Sequence, residues 1–270
     1  MSTKTLMFVP LILAWLVVAG AAVEPVETKS LLLIGDQGSH ARGAHEHMPG
    51  LKILEKCLQG VPHLKVTLVQ ADGDWPEGND LIDAADGIVL YLDEGGRWTQ
   101  QTPKRREAIL RLKQRGGGVT ALHWATGAKD GRFAPFHQQL IGAVHGGDDR
   151  KYIHLDTEVK VVAPDHPITA GLANFRLRDE FYYRLKQTER GKLTPLLEAD
   201  VQGTPELCCW ALERGDGGRS FGFVCLHEHS NWGRENIRRL VTQGVLWTIA
   251  VEPPKNLSLD ILEDDLALPK

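Results

Sequence analysis

Residues 116–127 read GGGVTALHWATG. Three glycines lead into the apolar run Val119–Leu122, which ends abruptly in His123 and Trp124 before small residues carry the chain to Gly127. A short apolar run without polar alternation is the pattern of a strand buried on both faces. A functional side chain at the tip of such a strand, on a tight turn into a helix, has the layout of a nucleophile elbow. Here the tip residue is histidine, and none of the four cysteines is near it. Acyl-enzyme chemistry needs a nucleophile in that place, whereas histidine offers an acid, a base or a metal ligand.

Working outward, Leu31–Ile34, Val66–Val69 and Gly87–Leu92 repeat the same buried-strand pattern. Between them, Leu51, Leu54 and Leu58 recur at helical spacing. A second helix has Thr102 as its cap and Pro103 in its first turn, turns Ala108, Ile109 and Leu112 inward and stops at Gly116. Alternating strands and helices predict an α/β fold with a doubly wound, mostly parallel sheet. The second half is less regular. It predicts a strand over Val159–Ala163, a hairpin of Glu206–Leu212 and Ser220–Leu226 around Asp216-Gly217-Gly218, and a closing helix over Asn231–Ile249. Ile237, Leu240, Val241 and Val245 form that helix's inner side, Pro253 and Pro254 end it, and 255–270 reads as a surface-lying tail with few anchors.

At the N-terminus, Lys4 precedes an apolar run from Leu6 to Val18 and the small residues Ala19, Gly20, Ala21 and Ala22. This is the pattern of an export signal over residues 1–22, too short for a comfortable membrane span. The expectation is an exported protein, periplasmic or extracellular, with no membrane span once the signal is removed. Loss of Lys4 would take the net charge from −4 to −5, and that mild acidity argues against a nucleic-acid partner. With 42% apolar and 24% charged residues the remainder suits one soluble domain, with room for a homo-oligomer. Cys57 reads as a small apolar helix residue, while Cys208 or Cys209 facing Cys225 would permit a disulfide in an oxidising compartment.

In open α/β sheets ligands bind beyond the carboxyl ends of the strands. After the first strand comes GDQGSHARGAHEH with His40, His45 and His47; after the third, Asp93-Glu94-Gly95-Gly96; after the fourth, His123-Trp124; after the hairpin, His227-Glu228-His229-Ser230-Asn231-Trp232. Six of the eleven histidines thus fall on one rim. His45 and His47 are two apart, so on a regular helix only one faces the site. His63 and His137 read as solvated surface residues. The glycines contain neither G-x-G-x-x-G nor a P-loop Lys-Ser/Thr, which excludes nucleotide binding.

Five segments in order resemble the ThuA-like (trehalose utilisation) family: GSHARGAHEH, GGGVTALHWA, DHPITAGL at Asp165–Leu172, RDEFYY around Asp179-Glu180, and FGFVCLHEHSNW near the end. The resemblance runs from Leu31 to Val251 and gives a domain over 30–252 followed by a C-terminal extension at 253–270. It implies a flavodoxin-like, class I glutamine amidotransferase-like three-layer sandwich without the glutaminase cysteine, and a link to sugars, including 3-keto disaccharides. His45, His123, Glu180 and His227 match family motif positions; His47 and His229 match a pattern found among exported versions. The loop AVHGGDDRKYIHL departs from the family, leaving His145 or His154 as the equivalent histidine, and Cys225-Leu226 stand where two small residues are usual.

The expected function is an enzyme, not a glutaminase, acting on a small-molecule carbohydrate or keto-sugar. His123 with Asp93 or Glu180, and His227, are its candidate acid-base residues. A divalent metal, Zn or Mn, on His45, His47, His123 and His227 is the candidate cofactor. Trp124, Tyr182, His229, Asn231 and Trp232 are candidate substrate contacts, and Trp98 and Tyr183 are further aromatics near the rim. The competing reading is a non-catalytic sugar-binding or interaction module.

Overall fold

The computed structural model describes Ser2 and residues 27–268, apart from Asp74 and Pro76. The expected export signal lies almost wholly outside the described residues. Twelve strands follow in chain order: β1 (Lys29–Gly35), β2 (Leu64–Gln70), β3 (Gly87–Tyr91), β4 (Gly118–Leu122), β5 (Gly127–Ala128), β6 (Ala143–Gly146), β7 (Lys151–Val161), β8 (Phe175–Tyr183), β9 (Lys186–Gln187), β10 (Lys192–Val201), β11 (Thr204–Glu213) and β12 (Arg219–Phe223). The helices are α1 (His47–Leu58), α2 (Gly78–Asp83), α3 (Gly95–Trp98), α4 (Pro103–Gln114), α5 (Ala134–Ile141) and α6 (Glu235–Thr248). None of them is long and apolar enough to cross a membrane.

One nine-stranded sheet has the order β2-β1-β3-β4-β12-β11-β10-β7-β8. Its first five strands are parallel and follow the flavodoxin-like order, with β12 in the fifth place. The other four pairings are antiparallel, so the sheet is half parallel rather than mostly parallel. β3 and β4 are buried throughout, as their unbroken apolar runs require. Thr102 caps α4 by accepting from the Arg105 N–H, with Pro103 opening the helix. Gly244 of α6 packs on Phe221, while the next-door Ser220 donates to Leu140 O of α5. Successive strand residues face opposite sides, so α6 and α5 cover opposite faces.

Of the antiparallel half, the β11–β12 hairpin was expected from sequence, while β8, β10 and most of β7 were not. Residues 151–161 alternate polar and apolar, and only the far end of this strand was expected. In a flat sheet β8 would sit about 14 Å from β11, three strands away, yet β8 lies against β11. The sheet curls, helped by a register break in β10 between Pro195 and Glu198; a bulge there sharpens the local twist. The curl turns β8 toward the carboxyl ends of the parallel strands.

Two further expectations are corrected, for His137 and for the tail. His137 is fully buried, its Nε2 donating to Ala125 O at 2.8 Å. All four cysteines are buried free thiols. The tail is anchored: Leu259 is buried and its carbonyl accepts from Arg238, Asp265 pairs with Lys56 at 2.5 Å, and Leu268 O accepts from Arg42 at 2.9 Å.

Burial lowers the His137 pKa to about 4 against the backbone bond that favours its charged form. The unfolded chain therefore binds this proton first, and stability falls as pH drops from about 6.5 toward 4. His137→Gln, which can still donate to Ala125 O, should flatten that part of the acid-unfolding curve. Urea denaturation at pH 7 and pH 4.5 reads the difference; parallel losses in both proteins would contradict it.

Candidate metal and acid-base site

Three of the cluster side chains, His45, His123 and His227, are delivered by strained turns, and Glu180 by strand β8. His123 follows β4 with φ +50°, at the start of a single helical turn, His123–Thr126, closed by Thr126 Oγ1 donating to His123 O at 2.6 Å. His45 also has φ +50°, and Leu226, just before His227, has φ +87°. A non-glycine residue in such a conformation costs roughly 1–3 kcal/mol and persists only when its surroundings over-determine it.

The surroundings do so. The His45 N–H donates to His227 O at 3.1 Å and the His229 N–H to Gly43 O at 2.9 Å, with Ala44 and Glu228 in an antiparallel bridge between them. This short ladder ties the loop after β1 to the loop after β12. Gly38 allows it, since a Cβ there would lie 2.4 Å from His45 O and its φ is +71°. Both polar backbone groups of Leu226 are held, N–H by Asp179 Oδ2 at 2.8 Å and C=O by the Tyr91 hydroxyl at 2.6 Å. Gly95 and Gly96 serve packing, not a phosphate: a Cβ on Gly95 would strike Ala125 O.

His45, His123 and His227 converge. His45 Nε2 lies 2.9 Å from His123 Nε2 and 3.1 Å from His227 Nδ1, and the last two atoms are 3.3 Å apart. Glu180 Oε2 is 3.5 Å from both His123 Nε2 and His227 Nδ1. These four residues form a buried group of close ligand atoms. His145 and His154, left open by sequence, take different places. His145 is buried and stacks on Tyr182 with ring centroids 3.9 Å apart, whereas His154, exposed, reaches Glu180 Oε1 with its Nε2 at 3.4 Å.

Protonation follows from the outer partners. His45 Nδ1 is 2.8 Å from Asp93 Oδ1. Burial raises the Asp93 pKa, but the bonds from His45 and Ser39 and the nearby imidazoles outweigh it and bring it to about 2. Asp93 therefore accepts, and His45 Nδ1 carries the hydrogen. His123 Nδ1 faces Val224 O at 2.8 Å and must donate to it. Burial, with the charge of His45 next, holds His123 well below its ordinary pKa, and burial also lowers His45 against the Asp93 bond. Both rings thus present unprotonated Nε2 lone pairs to one another, with the Tyr182 hydroxyl 3.1 Å from that of His123. For His227, burial opposes charge, but Glu180 more than compensates and raises it.

The remaining candidates are sorted by the same contacts. Asp93 stands behind His45, so it positions that ring rather than facing the cluster. His47 turns its Nδ1 to Asp36 Oδ1 at 2.5 Å and is not part of the four-residue group; Glu180 takes its expected place. Tyr182 brings its hydroxyl to 3.1 Å from His123 Nε2, and Trp124, half-buried, packs edge-on to Tyr182 and His145. Trp232 is fully buried against Gly50 and Tyr91, which removes it from any ligand surface. Asn231 donates to Arg178 O and Asp179 Oδ2 at 2.8 and 2.9 Å, and His229 is buried behind the loop. These two support the loop rather than line the site.

The sequence model of the ThuA family, described as trehalose utilisation, matches residues 38–248. The chain belongs to the ThuA family. Its fold is shared with a putative ThuA-like protein from Bacteroides uniformis at 16% identity and a TM-score of 0.65, over 84% of this chain and 94% of that one. A weaker likeness, TM-score 0.51 at 11% identity, is to the α-L-fucosidase isoenzyme 2 of Paenibacillus thiaminolyticus, over 83% of this chain and 33% of that enzyme. No match is found among curated protein sequences.

Asp179 is the residue of this ThuA-family site whose role sequence reading missed. It is fully buried and accepts from the backbone N–H groups of Glu180, Leu226 and His227 at 2.7, 2.8 and 3.0 Å. Burial raises its pKa to about 6 against those bonds. Asp179→Asn turns a donor toward these N–H groups, and should cost about 2–4 kcal/mol. Urea unfolding checks this; a loss below about 0.5 kcal/mol would contradict the clamp.

Proposed function

We propose that this chain is an enzyme acting on a sugar or keto-sugar, with a divalent metal such as Zn²⁺ or Mn²⁺ on His45, His123, His227 and Glu180. One observation carries the metal: two bare imidazole nitrogens face each other at 2.9 Å, with a third imidazole nitrogen and a carboxylate oxygen closing round them. Lone pairs so placed repel unless a cation lies between them. Four ligands at about 2.0–2.1 Å around a tetrahedral ion have edges of about 3.3–3.4 Å, and the separations of 2.9, 3.1, 3.3 and 3.5 Å bracket that value. Outer groups complete the pattern, Asp93 on His45 and Val224 O on His123, as partners that fix imidazole tautomers at metal sites.

When bound, the metal would polarise a ketone oxygen or lower the pKa of a water. The protein's residues supply the rest. Glu180 has Oε2 toward the imidazoles and Oε1 toward His154, so a proton taken at His154 Nε2 is shared with a carboxylate. The Tyr182 hydroxyl beside His123 Nε2 is a hydrogen-bond donor for an oxygen at the cluster. These are the parts of proton abstraction next to a ketone, or of protonating a leaving glycosidic oxygen. The family's description as trehalose utilisation supports a carbohydrate as the reactant, and the titratable cluster favours catalysis over a binding module. Export to the periplasm or beyond is the matching location.

Protein purified without a His-tag should carry close to one equivalent of metal by elemental analysis. His123→Ala and Glu180→Ala should lose it, and Asp93→Asn should weaken binding roughly 10- to 100-fold. No co-purified metal, with no rise in melting temperature on adding Zn²⁺ or Mn²⁺, would overturn the centre.

A further inference from the structure

Glu180 and Tyr182 reach the cluster from one side of the paired strands β7 and β8, and the register names what shares that side. Directly opposed residues of an antiparallel pair point to the same face. Glu180 is opposite His154, and Tyr182 is opposite Tyr152. Tyr152 and His154 are two residues apart on β7, about 7 Å along one face. The side of the hairpin that supplies Glu180 and Tyr182 to the cluster therefore continues outward through His154 to Tyr152.

Tyr152 is 58% exposed. The rim aromatics expected from sequence are not available in this way: Trp98, Tyr182 and Trp232 are buried, and Trp124 and Tyr183 are half-buried. Among the described residues, the exposed large apolar side chains are Tyr152, Val162 and Leu262. Single exposed apolar residues are ordinary, but Tyr152 is the aromatic one of the three and is cross-strand from a residue at the cluster. Beside it, Arg150 is half-buried, and its charge is felt at His145, which stacks on Tyr182. The rim thus joins an open aromatic face, a cation and an exposed imidazole.

We propose that Tyr152 is the ring platform of a carbohydrate subsite. Its open face would take the apolar C–H face of a pyranose, while an oxygen of the same or the adjoining sugar unit reaches the cluster past His154. An aromatic ring with a polar tip suits this use, because sugars present one apolar face and a polar edge. The inference rests on the carbohydrate reading above and adds which surface recognises the sugar. It would make Tyr152 a determinant of affinity and of the number of sugar units bound, without a role in holding the metal.

The test uses metal-loaded full-length protein with trehalose and the methyl glycosides of glucose, galactose and mannose, followed by saturation-transfer NMR and titration. Wild type should bind at least one of them. Tyr152→Ala should bind that sugar about 10-fold more weakly, Tyr152→Phe should keep most of the affinity, and metal content and melting temperature should match wild type in both. Unchanged sugar affinity in Tyr152→Ala would overturn the platform and leave the carbohydrate reading standing. If Tyr152→Ala instead changed only the sedimentation of the protein, the tyrosine would be a contact between chains and the platform would fall. Wild type binding none of these sugars would overturn the platform and the reading that an unoxidised sugar is the ligand.

Discussion

The apposition of His45 Nε2 and His123 Nε2 governs this structure. Each nitrogen is bare because the other side of its ring is committed, to Asp93 Oδ1 in one case and Val224 O in the other. Two lone pairs at 2.9 Å repel, and burial removes the water that would screen them. The fold must therefore hold them together against their own preference. His227 and Glu180 close the same space, where the proposed cation would offset that repulsion.

How the fold holds them is visible in the strain. His45, His123 and Leu226 all have positive φ, and each has its neighbours pinned. The ladder between the loops after β1 and β12 fixes the first, the Thr126 bond closes the turn at the second, and Asp179 with Tyr91 grips the third. Asp179 and Glu180 are adjacent on β8, so the strand that supplies one cluster residue also anchors the loop supplying another. That arrangement needs the curled sheet, since β8 would otherwise lie at a distant edge. The C-terminal tail adds a tie to this end of the molecule through Leu268 and Arg42.

Much of this was legible in the sequence. Buried runs without alternation marked β1, β3 and β4, and the histidines after them fell on one rim because parallel strands place their carboxyl ends together. His123 at the elbow was readable from the abrupt end of its strand. What was hidden depended on long-range pairing. The alternation of 151–161 was present in the sequence and would have placed Tyr152 and His154 on one face of a strand. Nothing local to RDEFYY reveals that Asp179 faces backbone N–H groups about fifty residues away while Glu180 faces the imidazoles. Trp232 and Asn231 read as substrate contacts from their place after a strand, but burial converts them into support. That only one of His45 and His47 reaches the cluster was legible from their spacing, and His47 turns instead to Asp36.

The central claim is that His45, His123, His227 and Glu180 hold one cation. Diffraction recorded above and below the absorption edge of the co-purified metal tests it most directly. The account predicts a single anomalous peak within about 2.0–2.2 Å of His45 Nε2, His123 Nε2, His227 Nδ1 and Glu180 Oε2. A metal-loaded crystal with no peak there, or with the metal held by other residues, would contradict it.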